Sequence, residues 1–163
     1  MTVTGPIRGG LNLPPDVQSS GTGRGEMQAL KIAVRMLCIV PFLTGVADIV
    51  DGAGLLTLAG AQLGQAVNDP ILNSQIGFWG AIWFGFGVIL WRASSHLHDE
   101  PGLFRLLCGI LVLSGLARLG SAVARGFPGP ELTVAMVVEL AGGVGLLLWH
   151  ASVLNRQPVT SAA

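Results

Sequence analysis

The stretches Leu103–Ala124, LFRLLCGILVLSGLARLGSAVA, and Leu132–Leu154, LTVAMVVELAGGVGLLLWHASVL, decide how this chain is built. Each is apolar over the roughly 20 residues a helix needs to cross a hydrocarbon core. Each also carries one charge well inside, Arg118 in the first and Glu139 in the second. If they are consecutive helices joined across Arg125–Glu131, Arg118 lies seven residues from one end and Glu139 eight from the other. At about 1.5 Å per residue both are then ~10–12 Å deep. A charge near the bilayer centre costs roughly 2.5–3.5 kcal/mol on insertion scales, so a chain that keeps two of opposite sign at one depth has paired them, turned them inward, or uses them.

Upstream, Ile32–Val50 and Ile71–Trp91 are apolar over similar lengths. In lipid every backbone polar group needs an internal partner, and the runs lack the alternation of barrel strands, so the expected fold is all-α: a polytopic membrane protein of four transmembrane helices in an antiparallel bundle. Composition agrees: 51% of the 163 residues are hydrophobic and 11% charged, against about 25% charged in soluble domains. The expected organisation is a disordered polar tail over residues 1–26, the membrane domain over 27–155, and a short cytoplasmic tail over 156–163. Translation starting at Met1 or at Met27 fits equally, and no cleavable signal peptide is expected. Asp69-Pro70 supplies a cap and a first-turn proline for the second helix, Glu100-Pro101 breaks before the third, and Pro128 and Pro130 flank the fourth. The uncharged, Leu-rich segment Gly52–Asn68 is expected to hold a short helix on the outer leaflet.

Nine basic and nine acidic residues balance, with no Lys/Arg cluster, which sets nucleic acid aside as a partner. Arg24, Lys31, Arg35, Arg92, Arg105 and Arg156 fall on one side of the spans against Arg125 on the other. Both termini are therefore expected in the cytoplasm, and Trp91 and Trp149 anchor the cytoplasmic ends of helices two and four. The expected setting is a bacterial inner membrane. The expected partners are the lipid bilayer and a second copy or another membrane protein.

At 100° per residue, helix four puts Leu132, Ala135, Met136, Glu139, Gly142, Gly143, Leu146 and His150 on one face, and helix three gathers Ser114, Gly115, Arg118, Ser121 and Ala122. Helix one aligns Pro41, Thr44, Gly45, Asp48 and Asp51. Helix two aligns Asn73, Gly77, Ala81, Gly85 and Val88, a small-residue stripe that would admit a neighbour. The candidate polar cluster or ligand site is thus Asp48, Asn73, Arg118 and Glu139. Two readings stay open: an ion pair that fixes helix packing, or an outward-opening pocket where Arg118 grips an anion or Glu139 exchanges a proton. The first makes a non-enzymatic structural or partner-binding module, the second a small permease or proton-coupled carrier.

No catalytic residues are expected, since nucleophile, phosphate-loop and dinucleotide motifs are missing. Cys38 and Cys108 form no CxxC and read as packed small hydrophobes. His96, His98 and His150 share a side but read as loop and helix-end residues, so neither metal nor other cofactor is expected.

The stretch Asp69-Pro-Ile-Leu-Asn-Ser-Gln-Ile-Gly-Phe-Trp-Gly-Ala-Ile-Trp-Phe-Gly, with Gly115-Leu-Ala-Arg-Leu-Gly, Gly126-Phe-Pro-Gly-Pro and the embedded Glu139, resembles the bacterial family catalogued as domain of unknown function 4345. The resemblance covers about residues 30–154. It implies a small four-helix membrane fold, with the family's third-helix Arg and fourth-helix Glu falling on Arg118 and Glu139. It implies no activity.

Overall fold

The computed structural model describes residues 15–156, which are largely helical and contain no strand. Helix α1 runs Pro15–Asp51 and contains the first expected span. Residues 15–26, expected in a disordered tail, instead continue this helix. Pro15 opens it and Asp16 lies in its first turn, both favourable there, and extending a nucleated helix is far easier than starting one. Residues 1–14 and 157–163 lie outside the described part.

Gly52, at φ +56°, turns the chain out of α1. The loop beyond it holds the one-turn helix α2 (Gly54–Leu58) and a 3-10 turn at Gly64–Asn68. Helix α3 (Pro70–Ser95) starts where the Asp69 carboxylate accepts from the amides of Ile71 and Leu72 at 2.8 and 2.9 Å, with Pro70 in the first turn. Helix α4 (Pro101–Arg125) ends at Gly126, φ +98°. The fourth span is α5 (Pro130–Val137), one π turn over Val138–Gly142, and α6 (Gly143–Asn155). Its backbone stays right-handed helical through both junctions, so it is one rod with a loosened turn at its middle. Four helices, Arg24–Asp51, Pro70–Ser95, Pro101–Arg125 and Pro130–Asn155, are long and apolar enough to cross a membrane. The protein is a multi-pass membrane protein.

The rods pack as two hairpins, α1 with α3 and α4 with α5–α6. Among helices in lipid, association depends on close backbone approach and polar contacts, which puts small residues at the interfaces. A Cβ on Gly45 would stand 2.8 Å from the Gly80 carbonyl oxygen, and one on Gly80 would stand 2.6 Å from Asp48 Cβ. Trp83 Nε1 donates to Thr44 Oγ1 at 2.9 Å between the same helices. The stripe expected to admit a neighbour holds in part: a Cβ on Gly77 would lie 3.8 Å from the Asp48 carbonyl oxygen of α1, but Ala81 and Val88 are exposed and Gly85 has open space beside it, while Gly80 and Gly87 meet α1. The wheel follows small residues, but the large Trp83 also faces α1, through its bond to Thr44.

The hairpins join through α1–α6 and α3–α4 contacts. The core lies at the end holding the α3–α4 turn, called the His96 end: Leu30, Val34 and Cys38 from α1, Leu90 and Leu97, Phe104 and Cys108 from α4, and Val153 from α6. His150 is buried there, its Nε2 2.9 Å from the Leu97 carbonyl oxygen and its ring 4.7 Å from that of Phe104. Towards the opposite end, the Gly52 end, the buried residues are those closing each hairpin on itself, and a groove separates the two.

Candidate functional site

Gly115 builds the site. A Cβ there would lie 2.6 Å from Leu140 Cγ and 3.1 Å from the Leu140 backbone nitrogen, so α4 rests against the π turn. Ser114 and Arg118, four residues apart and so on one helix face, then reach Glu139 in that turn. Arg118 Nε donates to Glu139 Oε2 at 3.0 Å and Oε1 at 3.2 Å, and the Ser114 hydroxyl donates to Oε2 at 3.1 Å. Glu139 is 6% exposed. A buried carboxylate is tolerable only when charge and hydrogen bonds are matched, and here a guanidinium and a hydroxyl supply both. The Arg118 side chain is 43% exposed, so the pair is one-sided: the acid is enclosed and the base stands at the edge of the groove.

Asp48 lies on α1 where that helix closes on Gly80. The Arg118 guanidinium and the Asp48 carboxylate are beyond ion-pair contact. Among the described residues its carboxylate accepts no hydrogen bond from another side chain. Asn73 stands apart. Its Oδ1 accepts from the Ala53 amide at 2.8 Å, and its Nδ2 donates to the carbonyls of Val67 at 2.8 Å and Asp69 at 2.9 Å. Asn73 therefore clasps the loop between α1 and α3, and the structure brings together Arg118 and Glu139, leaves Asp48 at the α1–α3 approach without an ion pair, and employs Asn73 elsewhere.

Two spaces adjoin the pair. At the crossing of the helices a cavity of about 50 Å³ is lined by Leu37, Pro41, Trp83, Phe86, Leu111 and Glu139 among others, nearly all apolar. That is well below the ~300 Å³ at which small-molecule pockets begin. On the Gly52 side Arg118 and Ser121 border an open crevice of about 190 Å³ that runs to Gly126, Pro128 and Leu132.

Sequence reasoning placed Ser114 beside Arg118 without giving it a role; hydroxyl spacing four residues before the arginine was the available signal. It missed the pin from His150 to Leu97, although the wheel had put His150 on the core face of helix four. Cys38 and Cys108 are buried and unlinked. Among the described residues no three His, Cys, Asp or Glu side chains gather where a metal could be held.

A family model described as a domain of unknown function (DUF4345) matches residues 29–150. No match to the chain was found among curated proteins or solved structures.

Proposed function

The chain belongs to the family described as a domain of unknown function (DUF4345), and from that premise we propose that it is a non-enzymatic membrane component in which the Arg118–Glu139 pair locks the second hairpin and holds a helical surface for a membrane partner or a second copy. The observation that carries this reading is the saturation of Glu139: both carboxylate oxygens are taken by Arg118 and Ser114 beside a cavity too small for a substrate. We place it in a bacterial inner membrane with both termini cytoplasmic. What supports the orientation is the basic side at the His96 end, where Arg35 stacks over Trp91 at 5.1 Å and bonds the Ser94 and Ser95 hydroxyls.

The test is a double-mutant cycle on unfolding in detergent. Arg118→Ala strands a buried carboxylate and Glu139→Gln removes its charge; single changes of this kind cost roughly 1–4 kcal/mol, less where one partner is exposed as Arg118 is. The pair Arg118→Ala/Glu139→Gln should recover part of the sum. Additive losses, or none, sink the lock.

One observation favours a second reading, a proton-coupled carrier: Glu139 sits in the π turn, a distortion often found where helices work. Uptake into proteoliposomes that Glu139→Gln abolishes in a folded protein would establish it, and uptake indifferent to that change would remove it.

A further inference from the structure

Arg118 has more donors than its lock uses. Glu139 engages only the Nε–H, and among the described residues no acceptor meets Nη1 or Nη2. The guanidinium is a planar fork whose outer edge matches the two oxygens of a phosphate or carboxylate. Arg118 borders the open crevice of about 190 Å³, where Ser121 adds a hydroxyl and Ala122, Gly126, Pro128 and Leu132 complete the wall.

We propose that this crevice binds a single phosphate group, held by the free Nη edge of Arg118 and the Ser121 hydroxyl. Three features give the site its character. Glu139 fixes the guanidinium in place, so little side-chain freedom is lost when an anion arrives. The crevice is smaller than the ~300–1,000 Å³ of small-molecule pockets, a size for a headgroup and not for a whole metabolite. Glu139 already faces the Arg118 guanidinium on its Nε side, so recognition rests on the directional fork and is modest in strength. The phosphate can belong to a phospholipid of the leaflet at the Gly52 end or to a free phosphate compound; Arg118 lies about 10 Å from the end of α4, within the reach of a headgroup drawn into the groove. The inference rests on the lock reading, because the lock is what orients the fork.

The test uses the full chain in dodecyl maltoside, a detergent without phosphate, with thermal unfolding as the readout. One arm adds inorganic phosphate against chloride at equal ionic strength, and the other adds phosphatidylglycerol to the micelles. Ligand that binds the folded state raises the midpoint in proportion to its affinity. Stabilisation by either supports the site, and the arm that responds tells a free phosphate from a lipid headgroup. Ser121→Ala should weaken binding about threefold, and Arg118→Lys, which keeps charge but not the fork, should weaken it further still. If Arg118→Lys does not fold, Ser121→Ala decides, since Ser121 does not touch Glu139. No stabilisation by either ligand up to about 10 mM, beyond the weak end of useful affinity, overturns the site, as does a Ser121→Ala protein that binds as tightly. Because the lock is measured without ligand, it can stand while this site fails.

Discussion

Asn73 commits its amide oxygen and its amide nitrogen to three main-chain groups, and none of them belongs to the polar cluster. Replacing it by Ala leaves the Ala53 amide and the Val67 carbonyl without this partner, while the Asp69 carbonyl still accepts from the residue-73 amide, at a cost of about 1–3 kcal/mol. Melting in detergent should fall accordingly, and protease should cut the Gly52–Asp69 loop sooner; an unchanged cutting rate would show that the clasp holds nothing. Gly52 depends on the same residue, since a Cβ there would collide with Asn73 Oδ1 and its φ is positive besides. Arg118 and Glu139 could be found in the sequence because depth and charge are properties of position along a helix. Asn73 and His150 could not be given their roles, because both bond to backbone carbonyls or amides whose location is set by loops. No periodicity encodes that.

Between helices, glycine decides where backbones meet, and the same residue type has opposite value at different sites. Gly115→Val should push α4 off the π turn, lower stability by about 1–3 kcal/mol through overpacking, and draw Arg118, three residues on, away from Glu139. Gly120→Ala, on the same helix with open space around it, should be neutral or should stabilise by up to about 1 kcal/mol through helix propensity. Equal effects in paired thermal melts would contradict this assignment of the α4 interface. The four spans and their proline boundaries were legible, as was the inward face of the fourth helix: Met136, Glu139, Gly143, Leu146 and His150 are all buried. The stripe on α3 was right at Gly77 and misjudged beyond it, because a wheel ranks faces by residue size alone. The actual partner takes Gly80 and Gly87 as points of approach and bonds Trp83 between them. The helical run at 15–26 was missed for a related reason, since polar composition reports on burial and not on whether a neighbouring helix continues.

At the scale of the molecule, the native cysteines make the proposed orientation easy to test. Cys38 and Cys108 are buried, so a membrane-impermeant maleimide should find little background. Ser95→Cys, at the exposed His96 end, should be labelled only after the cells are opened, and Gln62→Cys, in the exposed loop, from outside intact cells. The reverse pattern would invert the orientation. The two-hairpin construction bears on biosynthesis as well. The polar bonds and close approaches that hold α1 to α3, from Arg35 on Ser94 and Ser95 through the Gly45–Gly80 contact and the bond from Trp83 to Thr44 to the Asn73 clasp, lie within residues 35–95. The first hairpin can therefore assemble as it leaves the ribosome, before α4 has been made. The second carries its own Ser114–Arg118–Glu139 network and joins afterwards at the His96 end. The order in which the chain is synthesised is then the order in which it is built.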